Sequence, residues 1–345
     1  MNVIVTGSLG YDYIMDFPGR FADRIMPEAI HKISLSFLVD KLSKQFGGTA
    51  GNIAYSLKLL GIEPTILSDA GNDFAPYKEF LTKNKISTKA IFEAKDVTTS
   101  SYFVVTDQDD NQIGSFYIGA MQHTKELVLQ KYLEGGRLKR RASHDSFKVK
   151  HENKSFVIIA PNDPNAMKQY VKECQKLNIP YLYDPAFQID VFTPEELREG
   201  IEKAAIFIGN DYEIALVEKK LEISHEELLV MGPIVITTLG SKGSIIETRK
   251  DAIHIKPAGV KSVSDPTGAG DAYRAGFLAG YLKAVSPRPA LGHGALRADE
   301  LVVCGQMGSV AAAYTVELYG TQTHTFTKKE FAKRYKENFS NTITL

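Results

Sequence analysis

The sequence predicts an α/β fold: a doubly wound, mostly parallel sheet with a small β-sheet lid. Two observations predict it. From about residue 155, short β-rich runs (SFVIIA at 155–160, YLYD at 180–183, AAIFIG at 204–209, PIVITT at 233–238) alternate with helical patterns. Such alternation argues for parallel strands with helices on both faces. Upstream, residues 12–17, 31–38 and 100–118 interrupt that rhythm with mixed polarity, which suits a minor sheet with one face in water. A minor sheet of this kind would cover the carboxyl ends of the main strands, where doubly wound folds bind ligands.

In chain order, NVIVT at 2–6 is a short strand stopped by Gly7. A helix at about 51–60 ends at Gly61, followed by a strand at 64–68 and a helix at 75–84. Strands at 100–106 and 112–118 flank the polar turn DQDDN, giving a hairpin. Helices fall at 165–178, 194–203 and 211–220. A second hairpin spans 243–255, split at ETRKDA, and helices at 270–284 and 299–318 close the core. The expected organisation is one domain over 1–345. Its lid comes from about 12–47 and 95–120, and its core from about 2–10, 48–94 and 121–340. The charged stretch at 137–154 reads as a solvated surface insertion.

Lys plus Arg and Asp plus Glu both number 41, so no basic excess points to nucleic acid. Only Cys174 and Cys304 are present. They read as buried free thiols in a reducing cytoplasm. The N-terminus lacks the pattern of a signal peptide, and the apolar stretch at 301–316 is too short for a membrane span. Open edges on a small lid sheet favour covering or pairing, leaving monomer and homodimer both open.

The strongest chemical signal is DPTGAGDAYRAGF at 265–277. Small residues at Gly268, Ala269 and Gly270 bare backbone amides where a helix begins and partial positive charge lies, an anion hole for a transferring phosphoryl group. Asp271, in the first turn, is placed to take a proton from an attacking hydroxyl. Arg274, one turn on, shares its face. A tight turn with an Asp cap is the plainer alternative. In GGTAGNIAYSLKLLG at 47–61, Gly47 and Gly48 let backbone approach a ligand, and Asn52 offers both a donor and an acceptor. Asp12, after GSLGY, is a carboxylate able to accept from two sugar hydroxyls. Asn210 and Glu213, three apart, share a helix face and can orient the waters of Mg²⁺, or simply cap the helix. TTLGSKGS at 237–244 reads as strand, glycine turn and strand, a turn able to admit a nucleotide.

Together these features resemble the PfkB or ribokinase-like carbohydrate and nucleoside kinases. GGTAGNIA with Gly61 and Gly71 is similar to the first signature of that family, and DPTGAGDAYRAGFL to the second. The resemblance spans about residues 3–325. It implies transfer from ATP, with Asp271 as base, Gly268 to Gly270 as anion hole, and Asp12, Gly47, Gly48 and Asn52 at the acceptor. Asn210 and Glu213 would serve phosphate and Mg²⁺, and Thr238, Gly240 and Gly243 the ATP. In some relatives a monovalent cation such as K⁺ lies beside the anion hole, and Asp265 and Thr267 match that region. Gly10 and Thr49 stand where ribokinase has an amide side chain and a lysine, which argues against free ribose. The texture of FGGTAGNIAYSLKLLG and VELYGTQ is similar to bacterial adenosine kinases. Phe103 and Phe116, on lid strands paired through the DQDDN turn, are expected to approach the same region above the cleft and are candidates to stack on a purine. A nucleoside acceptor is therefore expected, with a sugar kinase of the same fold as the alternative.

Overall fold

The structure, a computed structural model, describes residues 1–109, 111–136, 155–285 and 296–345; the charged 137–154 stretch lies outside them. The strands are β1 Asn2–Thr6, β2 Gly10–Asp16, β3 Lys41–Gly47, β4 Pro64–Ala70, β5 Ile91–Glu93, β6 Ser100–Thr106, β7 Gln112–Tyr117, β8 Ser155–Ile159, β9 Tyr181–Tyr183, β10 Ile206–Asn210, β11 Ile234–Thr238, β12 Ser244–Glu247 and β13 Ala252–Ile255. The helices are α1 Thr49–Leu59, α2 Ala75–Lys83, α3 Pro164–Lys176, α4 Pro194–Glu202, α5 Asp211–Leu221, α6 His225–Val230, α7 Ala269–Val285, α8 Ala298–Val316 and α9 Lys328–Phe339.

Nine strands form the large sheet in the order β13-β12-β11-β10-β9-β8-β1-β4-β5. Neighbours from β11 through β5 run parallel, and only β12 and β13 are antiparallel. Successive residues of β1 point to opposite faces, and each face has its own core. Val3 and Val5 pack with α1, α2, α7, α8 and α9, whereas Ile4 packs with α3, α4, α5 and α6. This is the doubly wound arrangement the alternation predicts. Strand order reverses at β1, and the carboxyl ends of β1, β8, β9, β10 and β11 open on one crevice.

Four strands form the separate small sheet, in the order β3-β2-β6-β7. Its third strand differs from expectation. Residues 33–39 pair with nothing, and β3 takes that place. α6 and α9 extend the predicted helix list. α9 carries a capping box between Thr327 and Glu330, but its buried anchors are only Phe331 and Tyr335. Both cysteines are free and buried. No helix among the described residues is long and apolar enough to cross a membrane.

Candidate active site

Residues 7–9 carry the chain from β1 of the large sheet straight into β2 of the small one, bringing the two sheets together at the crevice. Gly48 enters α1 at φ +86°, and a side chain there would strike the Ser8 carbonyl and Gly10 amide. Only glycine satisfies both the backbone angle and the close approach. The Ser8 and Thr49 backbone amides each donate to the other's hydroxyl oxygen at 3.2 Å, and the Thr49 hydroxyl donates to the Pro161 carbonyl. Thr49 is thus spent on closing the loop. Asp12 on β2 is buried, its carboxylate pressed where a Gly47 side chain would stand.

α7 begins at the crevice. Ala269 N donates to Pro266 O and Ala272 N to Gly268 O, while the amides of Gly268, Gly270 and Asp271 meet no acceptor among the described residues. Unpaired amides at the start of a 17-residue helix are the physical requirement for holding an anion. Asp271 is buried, and its Oδ2 accepts from Asn52 Nδ2 at 2.8 Å. Burial raises its pKa above the ordinary carboxylate range, against the opposing pull of Arg274 and the Asn52 bond. Burial, then the charges of Asp271 and Asp265, push Asp12 up to about 7. Two buried acids that feel one another form a pocket wall suited to accepting hydrogen bonds and protons from hydroxyls.

Arg274 is ion-paired with Asp184, which lies just past β9. Its Nη1 would be 2.6 Å from a side-chain carbon at Gly270, so the guanidinium stands directly beside the bare amides. Burial, relieved in part by Arg274 and aggravated by Glu213 and Asp271, pushes Asp184 up to about 7. Arg274, Asp184, Glu213 and Asp271 therefore form one charge cluster.

Asn210 ends β10 and pairs in register with Thr238 at the end of β11. Asn210 and Glu213 make a reciprocal capping box, with both side-chain-to-amide bonds at 2.8 Å. The capping alternative is thus realised, and it uses only one oxygen of Glu213. Gly240 turns at φ +57° over open space, whereas a side chain at Gly243 would strike the Ile255 carbonyl, so the hairpin itself demands that glycine. Asp265 Oδ1 accepts from Thr267 N at 2.9 Å and Oδ2 from Gly320 N at 3.0 Å, making it a staple between two loops.

The two candidate aromatics part company. Tyr102 stands opposite both Asp12 and Phe116, so those three share one face of the small sheet. Phe103 stands opposite Tyr13 and Ser115 and lies on the other face, stacked on Tyr13 with centroids 4.7 Å apart. The expectation that Phe103 and Phe116 converge above one cleft is corrected by this register, because side chains one residue out of step point to opposite faces. Phe116 instead meets Phe187, from beyond β9 on the opposite wall, at 6.2 Å.

Sequence reasoning missed Gln322, Tyr77 and Asp184. Gln322 Nε2 donates to Asn52 Oδ1 at 2.8 Å and to the Tyr77 hydroxyl at 2.6 Å, and that hydroxyl donates to the Gly47 carbonyl at 2.9 Å. No local pattern marks these residues, since Gln322 meets Asn52 across 270 positions.

A buried carboxylate in the first turn of a helix, bare amides beside it and a second buried acid across the cleft fit a phosphotransferase acting on an alcohol group. The chain belongs to the pfkB family of carbohydrate kinases, whose description matches residues 12–328, and it is an ATP-dependent kinase acting on a hydroxyl group. It is similar to a nucleoside kinase of Methanocaldococcus jannaschii, 30% identical over 339 residues, covering 98% of this chain and 97% of that one. It is also similar to the solved structure of a Burkholderia thailandensis nucleoside kinase in complex with inosine. There the identity is 28% and the TM-score 0.81, covering 99% of this chain and 100% of that one. The structure of the same Burkholderia protein in complex with ADP-inosine matches at 30% identity and TM-score 0.79, covering 99% of this chain and 97% of that one.

Proposed function

We propose that the acceptor is the 5′-hydroxyl of a nucleoside, with adenosine preferred over free sugars. The observation that carries this reading is the shared face of Asp12 and Phe116. They sit two strands apart, roughly 10 Å at ordinary interstrand spacing, with Phe187 facing Phe116 from the other wall. A ribose at Asp12, Gly47, Gly48 and Asn52 directs its base toward the Phe116 and Phe187 rings. A bare sugar reaches the carboxylate but not the aromatics. The names of the similar nucleoside kinases support the same acceptor class.

In this reading Asp271 takes the proton of the 5′-hydroxyl as its oxygen attacks the γ-phosphorus of ATP and the bond to the departing ADP oxygen breaks, while the bare amides of Gly268 and Gly270 stabilise charge on the transferring group and the Ala269 amide, bonded to Pro266 O, holds the turn. Asn210, Thr238, Gly240 and Gly243 border the nucleotide. The unengaged oxygen of Glu213 and the buried, incompletely bonded carboxylate of Asp184 fit a nearby hydrated divalent ion. Mg²⁺, when bound, supplies neutralisation of phosphate charge. Asp265 and Thr267 border the place of a monovalent cation, which comparison of K⁺ and Na⁺ salts in one assay tests.

The deciding experiment measures ADP release with ATP and Mg²⁺ over adenosine, inosine, ribose, fructose and fructose 6-phosphate. Adenosine is expected to give a higher kcat/KM than any of the sugars. A sugar that exceeds adenosine by about tenfold, a difference of about 1.4 kcal/mol in transition-state stabilisation, replaces the nucleoside reading with a sugar kinase.

A further inference from the structure

We infer that Gln322 is a positioning residue for Asp271, acting through the side-chain amide of Asn52. The inference rests on the kinase reading above, in which Asp271 is the base. Gly47 O can only accept, so the Tyr77 hydroxyl directs its proton there, at 2.9 Å. The Tyr77 oxygen is then left to accept, and Gln322 Nε2 donates to it at 2.6 Å. The second hydrogen on the same nitrogen goes to Asn52 Oδ1 at 2.8 Å. With Oδ1 engaged, the amide presents Nδ2 to Asp271 Oδ2, also at 2.8 Å.

Each link fixes the polarity of the next. The two ends of an Asn amide have nearly the same shape, so its neighbours alone decide which end faces the carboxylate. The reverse orientation would set Oδ1 against Asp271, acceptor to acceptor. All four side chains are buried, which makes an unmatched link costly. The fold reserves room for the relay: a side chain at Gly51 would collide with the Tyr77 hydroxyl and lie 2.9 Å from Gln322 Nε2. It also fixes the loop that carries Gln322. Gly320 N donates to Asp265, and the Thr321 hydroxyl donates to the Phe46 carbonyl at 2.8 Å.

The test uses the full chain with Gln322→Leu, Gln322→Glu, Asn52→Ala and the double variants. Gln322→Leu frees the Asn52 amide, and kcat is expected to fall about tenfold with the KM for ATP within about twofold. Gln322→Glu is nearly isosteric, which guards against loss of fold. Its carboxylate accepts from Asn52 Nδ2 and turns Oδ1 toward Asp271, so its kcat falls further, about 30-fold or more, within the range for impairing a positioned base. In the Asn52→Ala background either change at Gln322 is expected to cost less than about twofold more, the mark of action through Asn52. Unchanged kcat in both single variants overturns the inference. So does an equal loss in the wild-type and Asn52→Ala backgrounds, which assigns Gln322 to packing alone. A wild-type protein without ATP-dependent turnover on any acceptor overturns the kinase reading itself. Normal wild-type turnover with insensitive Gln322 variants overturns only this inference.

Discussion

At the start of α7, each reactive side chain is buried and gripped by another: Asp271 by Asn52, Asn52 by Gln322, Arg274 by Asp184. On β7 of the small sheet, all six residues are exposed, and Phe116 touches the opposite wall only through Phe187. The first region is held by side chains whose rotation would break buried hydrogen bonds and an ion pair. The second presents surface. Chemistry needs fixed geometry, and recognition of a flat base needs area that can close on it. We read the difference as catalysis at the core wall and acceptor choice at the small sheet, and variants on each wall can break that division.

The largest effect is expected at Asp271→Asn. The amide can still accept from Asn52, so the fold is retained, but it cannot take a proton. A kcat loss of about 10²–10⁴ is expected in single-turnover and steady-state assays. Retention of more than about a tenth of wild-type kcat would reduce Asp271 to a helix cap. Next comes Arg274→Ala, which leaves the Asp184 carboxylate buried without its cation. Thermal and urea unfolding should show a loss of about 3–5 kcal/mol, the usual cost of breaking a buried pair. If stability holds and kcat/KM also stays within about twofold, Arg274 is neither a structural nor a catalytic part of this wall.

The small-sheet wall should respond in KM. Phe116→Ala is expected to raise the KM for adenosine about threefold to tenfold, from the loss of about 0.5–1.5 kcal/mol of ring contact, while sugar acceptors are unaffected. Phe103→Ala, on the opposite face, should leave both within about twofold. Equal effects of the two substitutions would show that the register argument does not govern binding. The smallest effect separates two uses of Glu213. Glu213→Gln keeps an oxygen for the Asn210 amide and so preserves the capping box, removing only charge. A few-fold higher Mg²⁺ requirement at near-normal stability is expected in a Mg²⁺ titration. An unchanged titration leaves Glu213 as a cap alone.

The groups legible in the sequence were those whose chemistry is written locally. The glycine turn before Asp271 and the Asn-x-x-Glu spacing each lie within one turn of helix, so residue type and spacing suffice. The parallel sheet was legible because its buried strands are continuous apolar runs. β3 was not, because KLSKQFG is largely polar and buries only Gly47, on the edge of the small sheet. The expectation that Phe103 and Phe116 approach one region failed because parity across a hairpin depends on the register set by its turn, here Thr106 opposite Gln112. Gln322, Tyr77 and Asp184 act only through partners distant in sequence, and no periodicity records such a partner.

The distance between Gln322 and its partners also orders events in time. Its contacts span 245 and 270 positions, among the longest loops in the fold. Gln322 also follows Asn52, Tyr77 and Asp271 in the chain, after α8, so it is the last of the four to be synthesised. A chain emerging from the ribosome can build both faces of the sheet and seat α7 against α1 while the Asn52 amide is still free to turn. The reactive centre is then completed only when the loop after α8 docks, so competence arrives with the last stage of assembly rather than with the appearance of the base.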